Sequence, residues 1–170
     1  MLVVFRGLPG TGKSYLAARF LEKRPSYLVV SRDTLRVGVI PHPDFSEVEK
    51  SLVDDLVVTI TGFLLERKRD VVIDGMALSS AARVEQLAAC AESRGQPLAI
   101  IECVCSEATA LTRIRGDSTH PAGDRGEPLY RAVKARYQRL TRPALVVDTD
   151  EETSQSLAAV LAYVDGRAAV

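Results

Sequence analysis

Short apolar runs alternate with longer segments of helical period along most of the chain. Five runs rich in Val, Ile and Leu predict strands that are covered on both faces, over residues 2–5, 27–30, 70–74, 98–104 and 144–148. Apolar residues that recur every three or four positions predict helices over residues 13–23, 46–67, 80–94, 106–115, 127–139 and 153–165. The alternation predicts an α/β fold, with a five-stranded, mainly parallel sheet and helices on both faces.

A sheet of this kind binds its ligands outside the carboxyl ends of its strands. The residues that directly follow each predicted strand are therefore the first candidates for function. Residues 116–128 are the one long segment dense in Gly, Pro and charge, and we predict that they form a mobile lid. A length of 170 residues suits a single core, so we expect one domain over residues 1–170.

Charge and composition narrow the classes of function. The 22 basic and 22 acidic residues cancel, so no overall field attracts nucleic acid or a membrane surface. No segment has the length of a membrane-spanning helix, and the opening MLVVF is too short for a signal peptide. We therefore expect a cytoplasmic protein without a membrane partner. The cysteines, at positions 90, 103 and 105, are expected to be core residues rather than disulfide or metal ligands.

The strongest motif is GLPGTGKS, residues 7–14, which fits the phosphate-binding pattern G-x-x-x-x-G-K-[ST] between a strand and a helix. Its glycines let successive backbone N–H groups point at phosphate oxygens: Gly7, Gly10 and Gly12. Lys13 is expected to reach the outer phosphates, and Ser14 to bind Mg²⁺. A glycine-rich turn without a ligand would leave Lys13 at a helix start, where its charge opposes the helix dipole. Three more residues are assigned to the nucleotide site: Pro9, Thr11 and Tyr15.

Carboxylates follow the second and third predicted strands. Asp33, in SRDTLR, stands where a kinase needs a base or positioning group for a substrate hydroxyl. The alternative is that Asp33 caps a helix beginning near Thr34, a role compatible with catalysis. Asp74, in VVIDGM, is either a site residue or a turn residue, and Gly75 beside it allows a close approach of the backbone.

Arginines flank the predicted lid. Arg113 and Arg115 precede it, and Arg125 lies towards its far end. Arginines that close over a transferring phosphoryl group neutralise its charge and exclude water. The alternative is that basic residues at a helix C-terminus only complement the helix dipole. Basic residues further along are expected to form a solvated surface: Arg131, Lys134, Arg136 and Arg139.

The combination of GLPGTGKS, SRDTLR, VVIDGMALS, TRIR and YQRLTRP resembles the AAA_33 group of P-loop kinases, which includes 5′-polynucleotide kinase domains. It is similar more distantly to zeta-toxin-like, chloramphenicol phosphotransferase-like and gluconate or adenylylsulfate kinases. The resemblance implies a P-loop kinase fold with ATP as the phosphate donor. It also implies that Asp33 is the general base and Arg36 the clamp on a phosphate of the acceptor. Asp74 would then help to organise the acceptor or the metal's water shell, and Arg113 would be a catalytic lid arginine.

The motifs and the resemblance together predict a kinase that uses ATP and Mg²⁺ to phosphorylate a hydroxyl group. The acceptor is a polynucleotide 5′-hydroxyl or nucleotide-like substrate, or else a small molecule such as a nucleoside, sugar or antibiotic. The neutral net charge weighs against a long polynucleotide, since a groove that tracks several phosphates has a basic footprint. A P-loop ATPase switch is a further alternative, but it needs a water-orienting residue that we do not identify. Residues 37–51 are expected to line the acceptor site.

Overall fold

The computed structural model describes residues 1–116 and 126–168. Five strands form one sheet in the order β2-β3-β1-β4-β5, and every neighbouring pair is parallel. The strands are β1 (Leu2–Arg6), β2 (Leu28–Ser31), β3 (Val71–Asp74), β4 (Leu98–Val104) and β5 (Leu145–Asp148). The predicted α/β fold is confirmed, and each observed strand end lies within about a residue of its predicted position.

Seven helices lie in the described part of the chain. They are α1 (Lys13–Lys23), α2 (Arg32–Val39), α3 (Glu47–Glu66), α4 (Ala81–Glu92), α5 (Glu107–Gly116), α6 (Glu127–Ala135) and α7 (Thr153–Ala168). Six of them were predicted, although α6 ends at Ala135 and not at residue 139. None of the helices within the described ranges combines the length and the apolar character needed to cross a membrane.

The core has two layers, one on each face of the sheet. The central strand β1 sends Leu2 and Val4 into the layer formed with α3 and α4. Its alternate residues, Val3 and Phe5, pack in the layer formed with α1 and α7. All four side chains are fully buried, which is why β1 reads as a continuous apolar run rather than as an alternating pattern.

Helix α2 was not predicted, and its start corrects the alternative role for Asp33. Ser31 is the N-cap residue, and its hydroxyl accepts a hydrogen bond from the backbone N–H of Thr34 at 3.4 Å. The helix therefore begins at Arg32, and Asp33 lies in its first turn rather than at the cap. The idea that Asp33 caps a helix beginning near Thr34 is wrong, and the structural role open to this carboxylate is instead to complement the helix dipole from the first turn.

Candidate phosphate-transfer site

The loop between β1 and α1 depends on the backbone conformation of its glycines. Gly7, Gly10 and Gly12 have φ values of 147°, 80° and 75°. A Cβ at Gly7 would lie 2.3 Å from the carbonyl oxygen of Cys103, and one at Gly10 would lie 2.4 Å from that of Ala110. Both positions therefore require glycine for φ and for space, because the loop is packed against the backbone of β4 and α5.

Polar side chains inside the loop hold its shape. The Thr11 hydroxyl and the Lys13 ammonium each donate a hydrogen bond to the carbonyl oxygen of Leu8, both at 2.8 Å. The side chain of Thr11 is buried, so its hydroxyl serves the loop itself. Lys13 begins α1, where the helix N-terminus and the nearby backbone N–H groups favour an anion.

Ser14 and Asp74 bring a hydroxyl and a carboxylate together beside the loop. Ser14 lies in the first turn of α1, Asp74 ends β3, and the Ser14 hydroxyl donates to Asp74 Oδ1 at 2.8 Å. Mg²⁺ is commonly held by one or two protein oxygens, with phosphate oxygens and water completing its shell. This donor set fits Mg²⁺ in the presence of a phosphate. No cluster of three or more potential metal ligands occurs in residues 1–116 and 126–168.

The start of α2 packs tightly against the end of β3. Ser31 and Asp74 are paired in the register of the two strands. Gly75 has a φ of 74°, and a Cβ there would lie 3.0 Å from the backbone nitrogen of Asp33 and 3.2 Å from its Oδ2. This close approach places the Asp33 carboxylate beside Gly75, in the loop that follows β3, where the sequence predicted only a close approach of the backbone.

Arg36 is held almost completely out of solvent, with 4% of its side chain exposed. Its Nη1 lies 3.3 Å from Glu49 Oε1, and its guanidinium lies 4.8 Å from the centre of the Phe45 ring. Glu49 Oε2 accepts hydrogen bonds from the backbone N–H groups of Asp44 and Phe45. Among the described residues, Arg36 Nε and Nη2 have no hydrogen-bond acceptor. Arg36 therefore has two buried donors without a partner in the described part of the chain, and its role as a clamp on an acceptor stays a prediction.

Arg113 is anchored to the loop after β5. It donates to the hydroxyl of Thr149 at 3.0 Å and to the carbonyl oxygen of Thr149 at 2.8 Å. The Thr149 hydroxyl in turn donates to the carbonyl oxygen of Thr11 at 3.0 Å. Arg113 thus lies at the phosphate loop. Arg115 instead pairs with Glu127 at 2.9 Å and is 68% exposed.

A single cavity of about 340 Å³ joins the phosphate loop to α2. It is lined by nine of the residues predicted from the sequence: Pro9, Gly10, Gly12, Lys13, Ser14, Tyr15, Asp33, Arg36 and Arg113. Four predicted residues do not line it, namely Gly7, Thr11, Asp74 and Arg115, and Arg125 lies outside the described residues with most of the predicted lid. The roles of all these side chains remain predictions.

Sequence reasoning missed part of the cavity wall. The missed lining residues are Arg32, Met76, Ala77, Leu129, Val133 and Arg136. Lys50 also lines it, inside the segment 37–51 that was expected near the acceptor. Arg32 is paired with Asp54 through Nε at 2.5 Å. Arg136 was expected on a solvated surface, and only the tertiary structure distinguishes it from the neighbouring basic residues.

A second cavity of about 410 Å³ adjoins the loop on the side of β5 and was not predicted. Its lining includes Tyr15, Arg113, Thr149, Glu151 and Thr153. Gly12, Tyr15 and Arg113 line both cavities, so the two spaces meet at the phosphate loop.

The two thiols behind the loop are not ionised near neutral pH. Burial raises the pKa of Cys103 to about 12, and burial also raises the pKa of Cys105. A thiol in this protonated state is a poor nucleophile and a poor metal ligand. This agrees with the role expected for these cysteines as small core residues.

Comparison with known families and structures identifies the chain's group. The family model AAA_33, described as an AAA domain, matches residues 2–143, so the chain belongs to this family. No curated protein matches the sequence. The predicted resemblance to the AAA_33 group is thus confirmed.

Solved structures show the same fold at low sequence identity. A sugar kinase from Janibacter sp. HTCC2649 is 12% identical with a TM-score of 0.74, over 96% of this chain and 94% of that one. The Mycobacterium tuberculosis APS kinase CysC, in complex with AMPPNP and APS, is 21% identical with a TM-score of 0.69, over 96% of each chain. Chaetomium thermophilum Kti12, in complex with ADP-AlF3, is 19% identical with a TM-score of 0.70, over 99% of this chain and 100% of that one. The chain has the P-loop kinase fold.

Proposed function

We propose that this protein is a kinase that transfers the γ-phosphate of ATP to a hydroxyl group of an anionic acceptor. The observation that carries the proposal is the shared cavity. Lys13 and Ser14 line it on the side of the phosphate loop, and Asp33 and Arg36 line it on the side of α2. A phosphate donor and a hydroxyl acceptor can therefore meet without intervening protein, as direct transfer requires.

The phosphate loop and its neighbours would bind the donor. Backbone N–H groups of the loop and the start of α1 favour the β- and γ-phosphates, and Lys13 adds a positive charge. Ser14 and Asp74 would hold Mg²⁺, which supplies neutralisation of phosphate charge when it is bound. The second cavity, beside Tyr15 and Arg113, has room for the nucleobase of the donor. A nucleobase bound there would explain why a large cavity adjoins the phosphate site.

Asp33 would accept the proton of the acceptor hydroxyl as its oxygen attacks the γ-phosphorus. The new O–P bond forms while the bond to the bridging oxygen breaks, and ADP leaves with that electron pair. Arg113, anchored by Thr149 at the loop, would stabilise the charge on the transferring group. Asp33 would thus act from the side of α2, and Arg113 from the side of the phosphate loop.

The cavity wall around α2 favours an acceptor with its own negative charge. Arg36, Lys50 and Arg136 supply cations there, and the nearby apolar residues Leu129 and Val133 suit a planar or apolar part of the ligand. A 5′-hydroxyl nucleotide end with an adjacent phosphate has both properties. A small anionic sugar or nucleoside derivative is the alternative, favoured by the modest cavity volume of about 340 Å³.

The test is a transfer assay with γ-labelled ATP and a panel of acceptors. The panel contains 5′-hydroxyl oligonucleotides, nucleosides with and without a 3′-phosphate, sugars with and without an anionic group, aminoglycosides and phenicols. We expect label to appear in one anionic class, and Asp33→Asn to reduce transfer by about 10²- to 10⁴-fold. Binding of AMPPNP, measured by calorimetry, should survive in this variant.

The matched control is Asp55→Asn, which removes a carboxylate that is 65% exposed on α3. Its transfer rate should equal that of the wild type. If ATP is consumed at the same rate with and without every acceptor, and Asp33→Asn does not change that rate, the protein is an ATPase and the proposal is wrong.

A further inference from the structure

The last residue of β1 is a fully buried arginine. Arg6 directly precedes the phosphate loop, in the central strand of the sheet, and none of its side chain is exposed. A buried charge is costly unless it is paired and hydrogen-bonded. The guanidinium of Arg6 does not line the cavity, and its Nε and Nη1 have no hydrogen-bond partner among the described residues, so the contacts of Nη2 and of the guanidinium face must offset the cost of burial.

Those contacts lead to the segment that follows α6. Arg6 Nη2 donates a hydrogen bond to the carbonyl oxygen of Gln138 at 2.9 Å, and the guanidinium lies 4.4 Å from the centre of the Tyr137 ring. Arg6 Nη1 lies 3.8 Å from Glu102 Oε2, and Arg6 and Glu102 are paired in the register of β1 and β4. Arg6 therefore holds a distant segment against the middle of the sheet.

Further hydrogen bonds fix the same segment on other sides. The Tyr137 hydroxyl donates to Glu102 Oε1 at 2.9 Å, and burial raises the pKa of Tyr137, so this donor stays protonated. The backbone N–H of Gln138 donates to the carbonyl oxygen of Ser79 at 2.8 Å. Its side-chain Oε1 accepts from the N–H of Ala81, in the first turn of α4. We call residues 136–138 the clasp segment, because it joins α6 to β1, β4 and α4.

The clasp segment begins with a residue of the cavity wall. Arg136 directly precedes Tyr137 and lines the cavity, as do Leu129 and Val133 of the preceding helix α6. Because Tyr137 and Gln138 are held by Arg6, the backbone of Arg136 has little freedom relative to the sheet. The guanidinium of Arg136 can then meet an anionic group without first ordering its backbone.

We propose that Arg6 is a positioning residue that holds Tyr137 and Gln138 on the sheet and thereby fixes Arg136 at the acceptor end of the cavity. The inference rests on the proposed function for the role of Arg136 towards an acceptor. The attachment of the clasp segment to Arg6 can be tested without any acceptor.

The first test measures hydrogen exchange of backbone amides in Arg6→Met, which keeps most of the buried volume. The amides of Gln138 and Ala81 should lose protection by about tenfold or more, since the Gln138 amide belongs to the clasp segment and the Ala81 amide donates to the Gln138 side chain. The Leu16 amide, which donates within the first turns of α1, should keep its protection, and AMPPNP should bind as in the wild type. The control Arg24→Met breaks an ion pair with Asp165 elsewhere and should change none of these amides. Unchanged protection at Gln138 in Arg6→Met would overturn the proposal.

The second test is a double-mutant cycle on the acceptor that the transfer screen identifies. Arg6→Met and Arg136→Met should each raise the KM for the acceptor by about tenfold and leave the KM for ATP unchanged. The double variant should be no worse than Arg136→Met alone, because Arg6 acts through Arg136. Independent, multiplying effects of the two substitutions would contradict this.

A milder variant keeps both tests decisive if Arg6→Met does not fold. Tyr137→Phe removes only the hydroxyl that reaches Glu102, and we expect a smaller loss of Gln138 protection and a smaller rise in acceptor KM. A wild-type exchange pattern and wild-type acceptor KM in Tyr137→Phe would count against the clasp. If no acceptor is found, the proposed function fails, while the exchange measurement still decides whether Arg6 holds the clasp segment.

Discussion

The phosphate loop and the opposite wall of the cavity, where we propose that the acceptor binds, are built in different ways. The loop is a continuous stretch, residues 7–14, and its shape depends on backbone conformation and on backbone packing of its glycines. The wall combines side chains from α2, α3, the loop after β3, α6 and the clasp segment. Ion pairs such as that of Arg36 with Glu49 hold it together. Substitutions in the loop should therefore impair nucleotide binding, and those in the wall should impair acceptor binding but leave nucleotide binding intact.

The largest effect is expected from a methyl group in the loop. Gly10→Ala places a Cβ 2.4 Å from a backbone oxygen at a φ of 80°, which alanine rarely adopts. We expect the free energy of unfolding to fall by more than about 2 kcal/mol and AMPPNP binding to be lost. Denaturant titration and calorimetry measure the two quantities. Normal AMPPNP affinity in Gly10→Ala would show that the loop can rearrange around an added methyl group. The loop would then not depend on its glycines in the way that distinguishes it from the wall.

A charge removed from the wall should affect stability and the acceptor but spare the donor. Glu49→Gln leaves the buried guanidinium of Arg36 without its ion-pair partner, at a cost of about 3 kcal/mol in the free energy of unfolding. AMPPNP affinity, measured below the unfolding transition, should not change. The control is Glu47→Gln, on the same helix turn but 83% exposed, which should leave the melting temperature unchanged. Equal losses in the two variants would contradict the importance of burial.

Ser14 and Asp74 are in contact beside the phosphate loop. Two substitutions of Ser14 distinguish the role of its hydroxyl group from the role of its packing. Ser14→Ala removes the hydroxyl, and we expect the affinity for Mg²⁺ in the presence of AMPPNP to fall by about 10- to 100-fold. Ser14→Thr keeps a hydroxyl and should retain most of the affinity. Titration with Mg²⁺ at fixed AMPPNP gives both values. Similar Mg²⁺ affinity in the alanine variant and the wild type would exclude Ser14 as a metal ligand.

The smallest effect is expected at a glycine that the structure does not require, in contrast to Gly10. Gly38 lies in α2, is exposed, and has no atom within 4 Å of an added Cβ. Gly38→Ala should therefore raise the free energy of unfolding by about 0.5–1 kcal/mol, through the better helix propensity of alanine. Thermal or denaturant unfolding of Gly38→Ala beside Gly10→Ala provides the direct contrast. A destabilised Gly38→Ala protein would mean that α2 needs a flexible end.

The same difference explains what could be predicted from the sequence. The five strands and the phosphate loop were predictable because their signals are local: apolar runs in one case and a contiguous motif in the other. Helix α2 was missed because it has only eight residues and its one buried side chain is Arg36, so no apolar stripe marks it. Asp33 was a candidate from its place after the second strand, while its role as general base and that of Arg36 as a clamp were assigned through the resemblance. Arg136 and the second cavity depend on the meeting of distant segments, which no local pattern records.

The separate origins of the wall segments have an evolutionary consequence. Each segment lies on its own element and can change by substitution, insertion or a shifted helix end while the eight residues of the loop stay as they are. Descendants of such a chain can acquire new acceptors one segment at a time, and the inherited donor chemistry need never be rebuilt. Paralogues should therefore differ first at positions equivalent to Lys50, Leu129 and Arg136, and last within Gly7 to Ser14.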